Sequence, residues 1–356
     1  MFRNLPVNAR RAFRLSLTVA LSLVIAYALQ LPLPFIAPLF GILLSLKPAP
    51  PISLKNLLKL ILVVAITLSS GVILTPLLTH YTGLGLVVVA VGIYFSIFMT
   101  HARENAALIG TLLTLGITLI SAAGTLSSAL SMAVIQAIVL GIAIATFCQW
   151  MIYPLFPEPD GEDTAQPPAK DAAVDAHWIA LRTTIIVFPV YLLVLINPTA
   201  YMPLMMKSTV LAQQASFEHA RSAGRELIGA TLLAGLLAVV LWFGLKMAVN
   251  LWMFFLWMSL LGLYIAAKFY HALPTRRGPM FWQDVFVTLI IFIGPAVQDS
   301  ANGKDVYAAF ITRLALFMGL TLYAWLAVFA LEQFQASLRS HERFWDIQVH
   351  QNRFDL

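Results

Sequence analysis

The sequence predicts an all-α, polytopic helical membrane protein of about twelve membrane segments, arranged as two parallel six-segment repeats in which some segments are short, broken or re-entrant. Three observations carry this prediction. Apolar residues make up 60% of the 356-residue chain and charged residues 11%, too little charge to clothe a water-facing surface of that size. Residues 15–46, 60–79, 81–100, 105–157, 183–206, 227–245 and 247–267 contain no Asp, Glu, Lys or Arg, and a spanning helix needs about 20 mostly apolar residues. Short motifs of the first half recur, in order, in the second. Lipid offers the backbone no hydrogen-bond partner, so such runs must be helical. They are continuously apolar rather than alternating, which argues against a β-barrel.

The first segment covers 15–30 and follows Arg3, Arg10, Arg11 and Arg14. A basic stretch before an apolar run ending in Ala26-Tyr27-Ala28 mimics a signal peptide. Apolar sequence continues directly beyond it, so a retained span is expected. The second segment, 33–47, is interrupted by Gln30-Leu-Pro-Leu-Pro34; the next four fall at 58–78, 83–100, 105–122 and 131–154. The stretch from Pro157 to Asp175, rich in Pro, Ala, Asp and Glu, cannot pack a core and reads as a solvated linker. The second set falls at 179–196, 200–214, 228–247, 250–270, 281–297 and 307–331, and Asn197-Pro198 interrupts its start. The two pieces behind these interruptions are short for a full crossing. They suit broken or re-entrant helices lining a cavity. The expected division is a first repeat at 1–156, a cytoplasmic linker at 157–176, a second repeat at 177–335 and a cytoplasmic tail at 336–356.

Four matches relate the halves. Ala12-Phe13-Arg14 recurs as Ala180-Leu181-Arg182, and Ala37-Pro38-Leu39 as Met202-Pro203-Leu204. Gly92-Ile93-Tyr94 with His101-Ala102 recurs as Gly262-Leu263-Tyr264 with His271-Ala272, and Gly141 has a counterpart in Gly319. The offsets run from 165 to 178 residues and keep their order. An even number of crossings per half makes the repeat parallel. If every segment crosses, Lys and Arg collect on one side, which leaves only Lys246 and Lys304 on the other. That bias places both termini in the cytoplasm of a bacterial inner (plasma) membrane. It also explains the net charge of +6 without a nucleic-acid partner.

Polar residues inside spans carry the functional expectations, because ionisable groups in a membrane are costly and usually functional. Lys207, in Pro203-Leu-Met-Met-Lys-Ser-Thr209, stands where the first half has Ile42. Its ammonium suits a substrate carboxylate, with Ser208 and Thr209 as donors; snorkelling from a short helix is the plainer role. Asp284, in Trp282-Gln283-Asp284, suits a coupling proton if burial disfavours its charged form, or a helix cap. Glu104 occupies a similar place in the fifth segment, where capping is favoured. Arg313 suits either substrate or an ion pair with Asp299 or Asp305, and Asp299 joins Asp284 as a proton-coupling candidate. Gln213, Gln214 and Arg225 are candidates for a cytoplasmic entrance.

Several chemistries lack their motifs. No G-x-x-x-x-G-K-[ST] loop, metal-spaced His/Cys cluster or serine nucleophile elbow occurs. No enzyme activity, cofactor or metal is therefore expected. The single Cys148 rules out an internal disulfide.

The repeated six-span block resembles the fusaric acid resistance protein-like (FUSC) superfamily, which includes aromatic acid exporters. The likeness rests on Arg14 and Arg182 before the first apolar run of each half and on the Pro-containing second segments. Gly224-Arg-Glu-Leu-Ile-Gly-Ala-Thr231 and the Arg313 helix add to it. The chain lacks the large cytoplasmic domain of many members and resembles a compact branch. The resemblance implies efflux of small aromatic or other organic acids, with a periplasmic membrane-fusion adaptor as partner. Since the sequence shows no energy-coupling motif, a proton-coupled exporter is expected, and a homodimer is one assembly the sequence allows. A passive anion channel and a non-transporting membrane scaffold are the alternatives.

Overall fold

The computed structural model describes residues 5–46, 49–102, 107–158, 176–213, 220–301, 303 and 305–351. Lys47, Arg103, Glu104, residues 159–175, Gln214, Lys304 and residues 352–356 lie outside them. All regular structure among the described residues is helical. In chain order the helices are α1 (Val7–Ala28), α2 (Ile36–Ser45), α3 (Leu54–His80), α4 (Thr82–Ala102) and α5 (Ala107–Leu115). A π-helical turn (Gly116–Ile120) joins α5 to α6 (Ser121–Leu126), and α7 (Ser128–Ile152) ends the first half. The second half holds α8 (Ala176–Ile196), α9 (Pro198–Gln213), α10 (Ala220–Met247), α11 (Leu251–Phe269), α12 (Pro279–Ala301) and α13 (Val306–Gln351).

Ten segments are long and apolar enough to cross a membrane, with the π turn and its flanks counted as one. The two that fall short are α2, with 10 residues, and α9, with 16. These are the segments behind the two sequence interruptions, so the chain is a multi-pass membrane protein with ten candidate spans and two short helices among the described residues. At the C-terminal end, α13 runs for 46 residues. It continues through 336–351, where a tail is expected, with no break at 335.

Contacts between helix ends sort them onto two faces. On the first, Gln149 near the end of α7 donates to Ser45 at the end of α2 (2.9 Å), and Trp150 donates to the Ile52 carbonyl ahead of α3 (2.8 Å). Tyr270, just past α11, donates to the Ser45 carbonyl (2.8 Å), and Phe98 in the last turns of α4 stacks on His177 at the start of α8 with centroids 4.4 Å apart. Arg14 near the start of α1 pairs with Glu158 beyond α7 (2.8 Å). On the opposite face, Gln298 donates to the Pro32 carbonyl (2.9 Å), and Lys246 at the end of α10 donates to Tyr307 at the start of α13 (2.7 Å). Both halves therefore begin on the first face, and the repeat is parallel.

The packing scheme repeats as well. The first segment of each half lies on the fourth segment of the other, α1 on α11 and α8 on α4. Each half also packs its first segment on its second (α1 on α2, α8 on α9) and its third on its fifth. One glycine pair shared by the halves, Gly92 and Gly262, sits at equivalent junctions. A Cβ on Gly92 of α4 would meet Ile117 at 2.9 Å, and one on Gly262 of α11 would meet Phe286 at 3.1 Å.

Two local features shape the centre. After α1, Gln30 takes a left-handed φ of 51° and the chain runs non-helically toward Phe35. Phe35 packs on Gly294 of α12, where a Cβ would come within 2.2 Å. Ile36 and Ala37 rest against Gly141, midway along α7. Helix α2 thus starts at mid-depth and reaches the first face at Ser45, so this segment crosses as a broken helix. Irregular backbone is tolerated there because protein, not lipid, covers it. At the core lies α12, buried at every position from Asp284 to Ala296. A helix apolar nearly all round can be covered by lipid or by protein; here protein covers it, and with it Asp284 and Thr288.

Candidate functional site

Helices α9 and α12 meet at a buried ion pair. The ammonium of Lys207 lies 2.6 Å from Asp284 Oδ1 and donates to Thr288 Oγ1 at 2.5 Å. Asp284 and Thr288 are one helical turn apart, so both face α9. Thr288 Oγ1 lies 3.5 Å from Asp284 Oδ1. Lys207 and Thr288 are fully buried, and Asp284 is 2% exposed. Asp284 is the sixth residue of α12, about 8 Å along the helix from its start at a 1.5 Å rise. The pair therefore lies inside the membrane, nearer the first face.

The local sequence explains this placement. Pro198 starts α9 immediately after Asn197, and Pro203 lies within it, so the helix is short and dips into the protein. Leu204 and Met205 before it are buried, and Lys207 itself is fully buried among such side chains. Removing one partner of such a pair typically costs about 3–5 kcal/mol, because the other charge is left uncompensated. Asp284 Oδ2 accepts no hydrogen bond among the described residues, and a buried acceptor without a donor is itself unfavourable. The pair is thus held together but incompletely satisfied.

The structure joins two residues to which the sequence assigned separate roles, Lys207 for substrate and Asp284 for a proton. It does not bring Ser208 to them: its buried hydroxyl donates to the Met205 carbonyl of its own helix (2.8 Å). Thr209 and Gln213 lie on α9 and Arg225 on α10; their side chains lie outside the described residues, as does the whole of Gln214.

Arg313 belongs elsewhere. It pairs with Asp299, each side chain about one-seventh exposed. Asp299 is fifteen residues beyond Asp284 on the same helix, about 22 Å along α12. Arg313 therefore cannot share one binding site with Lys207, as the sequence reading had grouped them. Two ion pairs instead hang on α12, one toward each face.

Sequence reasoning missed a third polar feature. In the first half, Ser96 and Thr114 share a hydrogen bond of 2.7 Å, Thr118 donates to the Thr114 carbonyl (2.6 Å), and Ser121 meets Tyr191 of α8 (2.9 Å). All five side chains are buried. This hydroxyl seam follows the π turn, a distortion often found at functional sites. The spacing of Thr114, Thr118 and Ser121, one helical stripe, is the signal that could have found it. Among the described residues no cluster of three His, Cys, Asp or Glu side chains is placed to hold a metal.

On the first face, Arg10 donates to the Pro157 carbonyl (3.0 Å), Arg11 and Arg14 pair with Glu158, and Arg14 lies over Tyr153 (5.4 Å). The first residues beyond α7 are thus bound to α1 rather than free. The same charges lie near Tyr270, whose phenol burial pushes up to about 12.

The model of a family described as protein of unknown function (DUF2955) matches residues 11–151. The match opens in α1 and closes at the end of α7, which are the limits of the first six-segment block. No curated protein and no solved structure matches the chain.

Proposed function

We propose that this membrane protein is a secondary transporter that carries small organic anions, aromatic acids foremost, out across a bacterial inner membrane in company with a proton. The observation that carries this reading is the Lys207–Asp284 pair, the one place among the described residues where a fully buried cation faces a carboxylate inside the membrane. The resemblance to the FUSC superfamily supplies the substrate class, the outward direction and a periplasmic membrane-fusion adaptor as partner.

The chemistry follows from charge. A substrate carboxylate that takes the ammonium of Lys207 displaces Asp284. Asp284, left without its cation, takes up a proton in this scheme, so that the net charge of the site is unchanged. Anion and proton load together, and the linkage is reciprocal: a proton on Asp284 frees Lys207 for the anion. The loaded site has the same net charge as the empty one. Cargo therefore moves as an electroneutral acid, and acid accumulated inside runs outward down its own gradient. A tenfold excess supplies about 1.4 kcal/mol. On this reading the Arg313–Asp299 pair closes the opposite end of α12.

Efflux of labelled 4-hydroxybenzoate from proteoliposomes tests the proposal. Protein-dependent flux should be unchanged by an imposed potassium diffusion potential, and Lys207→Gln should abolish it while the protein stays in the membrane. A passive anion channel would instead follow the potential, at about 2.3 kcal/mol per charge per 100 mV. Unimpaired flux in Lys207→Gln would sink the mechanism and restore the scaffold reading.

A further inference from the structure

We infer that the opposite face carries a second binding site, for one amphipathic carboxylate with an aryl or short alkyl body, in the cleft between the ends of α1, α10 and α12 and the start of α11. The cleft is half-open, encloses ≈ 540 Å³ and is walled mainly by apolar atoms. That volume falls within the range of about 300–1,000 Å³ usual for small-molecule sites.

Its walls and its polar groups have distinct parts. Tyr27 and Phe254 stand edge-to-face with centroids 5.3 Å apart. The Tyr27 hydroxyl is spent on the Gly294 carbonyl (2.9 Å), which leaves its ring as an apolar wall. The polar handles left over, Lys246, Asn250 and the Ser300 hydroxyl, can all donate. Lys246 is exposed, and one of its three N–H groups goes to Tyr307 at 2.7 Å, whose ring lies 4.6 Å away. Among the described residues no carboxylate lies within ion-pair distance of it. Asn250 uses its side-chain oxygen to cap α11 at the Met253 N–H (2.7 Å), so its amide NH₂ is directed away from the helix. Trp242 is 7% exposed, and its indole N–H finds no acceptor among the described residues. That nitrogen is itself covered, so Trp242 serves the cleft as an apolar wall. One cation with two neutral donors, the Asn250 amide and the Ser300 hydroxyl, above aromatic walls fits a single carboxylate head on an apolar body.

The test uses the full chain in phosphatidylcholine nanodiscs, with 2-naphthoate fluorescence as the readout and 2-naphthylmethanol as the neutral isostere. Naphthoate should saturate one site in the Lys207→Met/Asp284→Leu double variant, which lacks the inner pair and so separates this inference from the transport reading. Lys246→Gln should weaken naphthoate about tenfold and leave the alcohol unchanged, as expected for loss of a charge-assisted hydrogen bond. Val297→Trp, which fills the cleft, should remove both ligands. Equal affinity for acid and alcohol, or naphthoate binding untouched by both Lys246→Gln and Val297→Trp, overturns the inference. Displacement of naphthoate by added phosphatidylglycerol, in proportion to its fraction, assigns the cleft to lipid and overturns it too.

Discussion

The two halves share one packing scheme and differ in the polar chemistry they bury. In the first, the segment of α5, the π turn and α6 carries only hydroxyls, each with a near partner, from Ser96–Thr114 to Ser121–Tyr191. In the second, the corresponding segment α12 carries Asp284, and the short helix α9 brings Lys207 to it. The short helix of the first half carries Ile42 at the matching place, and both residues are fully buried. The helices also differ in fit. A Cβ on Gly141 of α7 would meet Ile36 and Ala37 of α2 at 3.2 Å, whereas one on Gly319 of α13 would meet nothing within 4 Å.

That contrast can be broken outright by making the halves alike. Ile42→Lys puts an ammonium in the first half, where α1 and α7, the main neighbours of α2, carry no acidic residue, and should abolish the folded protein. The readout is the loss of a monodisperse peak after detergent extraction. Next in size, Asp284→Asn strands Lys207 and should lower stability by about 3–5 kcal/mol. The double variant Lys207→Met/Asp284→Leu should recover most of that loss, because an apolar pair of similar volume replaces a buried ion pair at little cost. Thermal melts of the purified variants compare the two, and equal losses would mean that the residues do not act as a pair.

Smaller substitutions sharpen the difference in fit. Gly116→Ala in the π turn places a Cβ 2.6 Å from the Thr67 carbonyl and should cost about 1–3 kcal/mol through overpacking. Gly319→Ala should stay within about 0.5 kcal/mol of wild type, since nothing crowds it. Tyr191→Phe removes one partner of Ser121 and should cost about 0.5–1.5 kcal/mol in melts, with 4-hydroxybenzoate flux unchanged. A flux defect there would show that the hydroxyl seam belongs to the pathway and that the halves share the work.

Much of this was legible because membranes simplify sequences. Segment positions follow from where charges stop, and the two segments marked as interrupted are the two whose helices prove short. Lys207 and Asp284 stood out because charge inside an apolar run is rare. Their partnership was not legible, since 77 residues separate them and no local pattern records which helices touch. Arg313 was grouped with Lys207 for the same reason, and only its depth along α13 separates the two. The cleft on the opposite face escaped notice because Lys246 counted only toward the charge bias, and nothing local in the sequence marks Trp242 or Asn250 as its neighbours.

By itself, then, the sequence determined the solvent, the segments and the repeat, because hydrophobicity, helix length and recurring motifs are local or additive quantities. Tertiary structure decided which polar groups meet. It carried the broken chain of Gln30 to Phe35 across to α2, joined Lys207 to Asp284 and placed Arg313 at the other end of α12. Those outcomes depend on helix register and depth, which follow from the fit of side chains across the whole bundle rather than from any one segment.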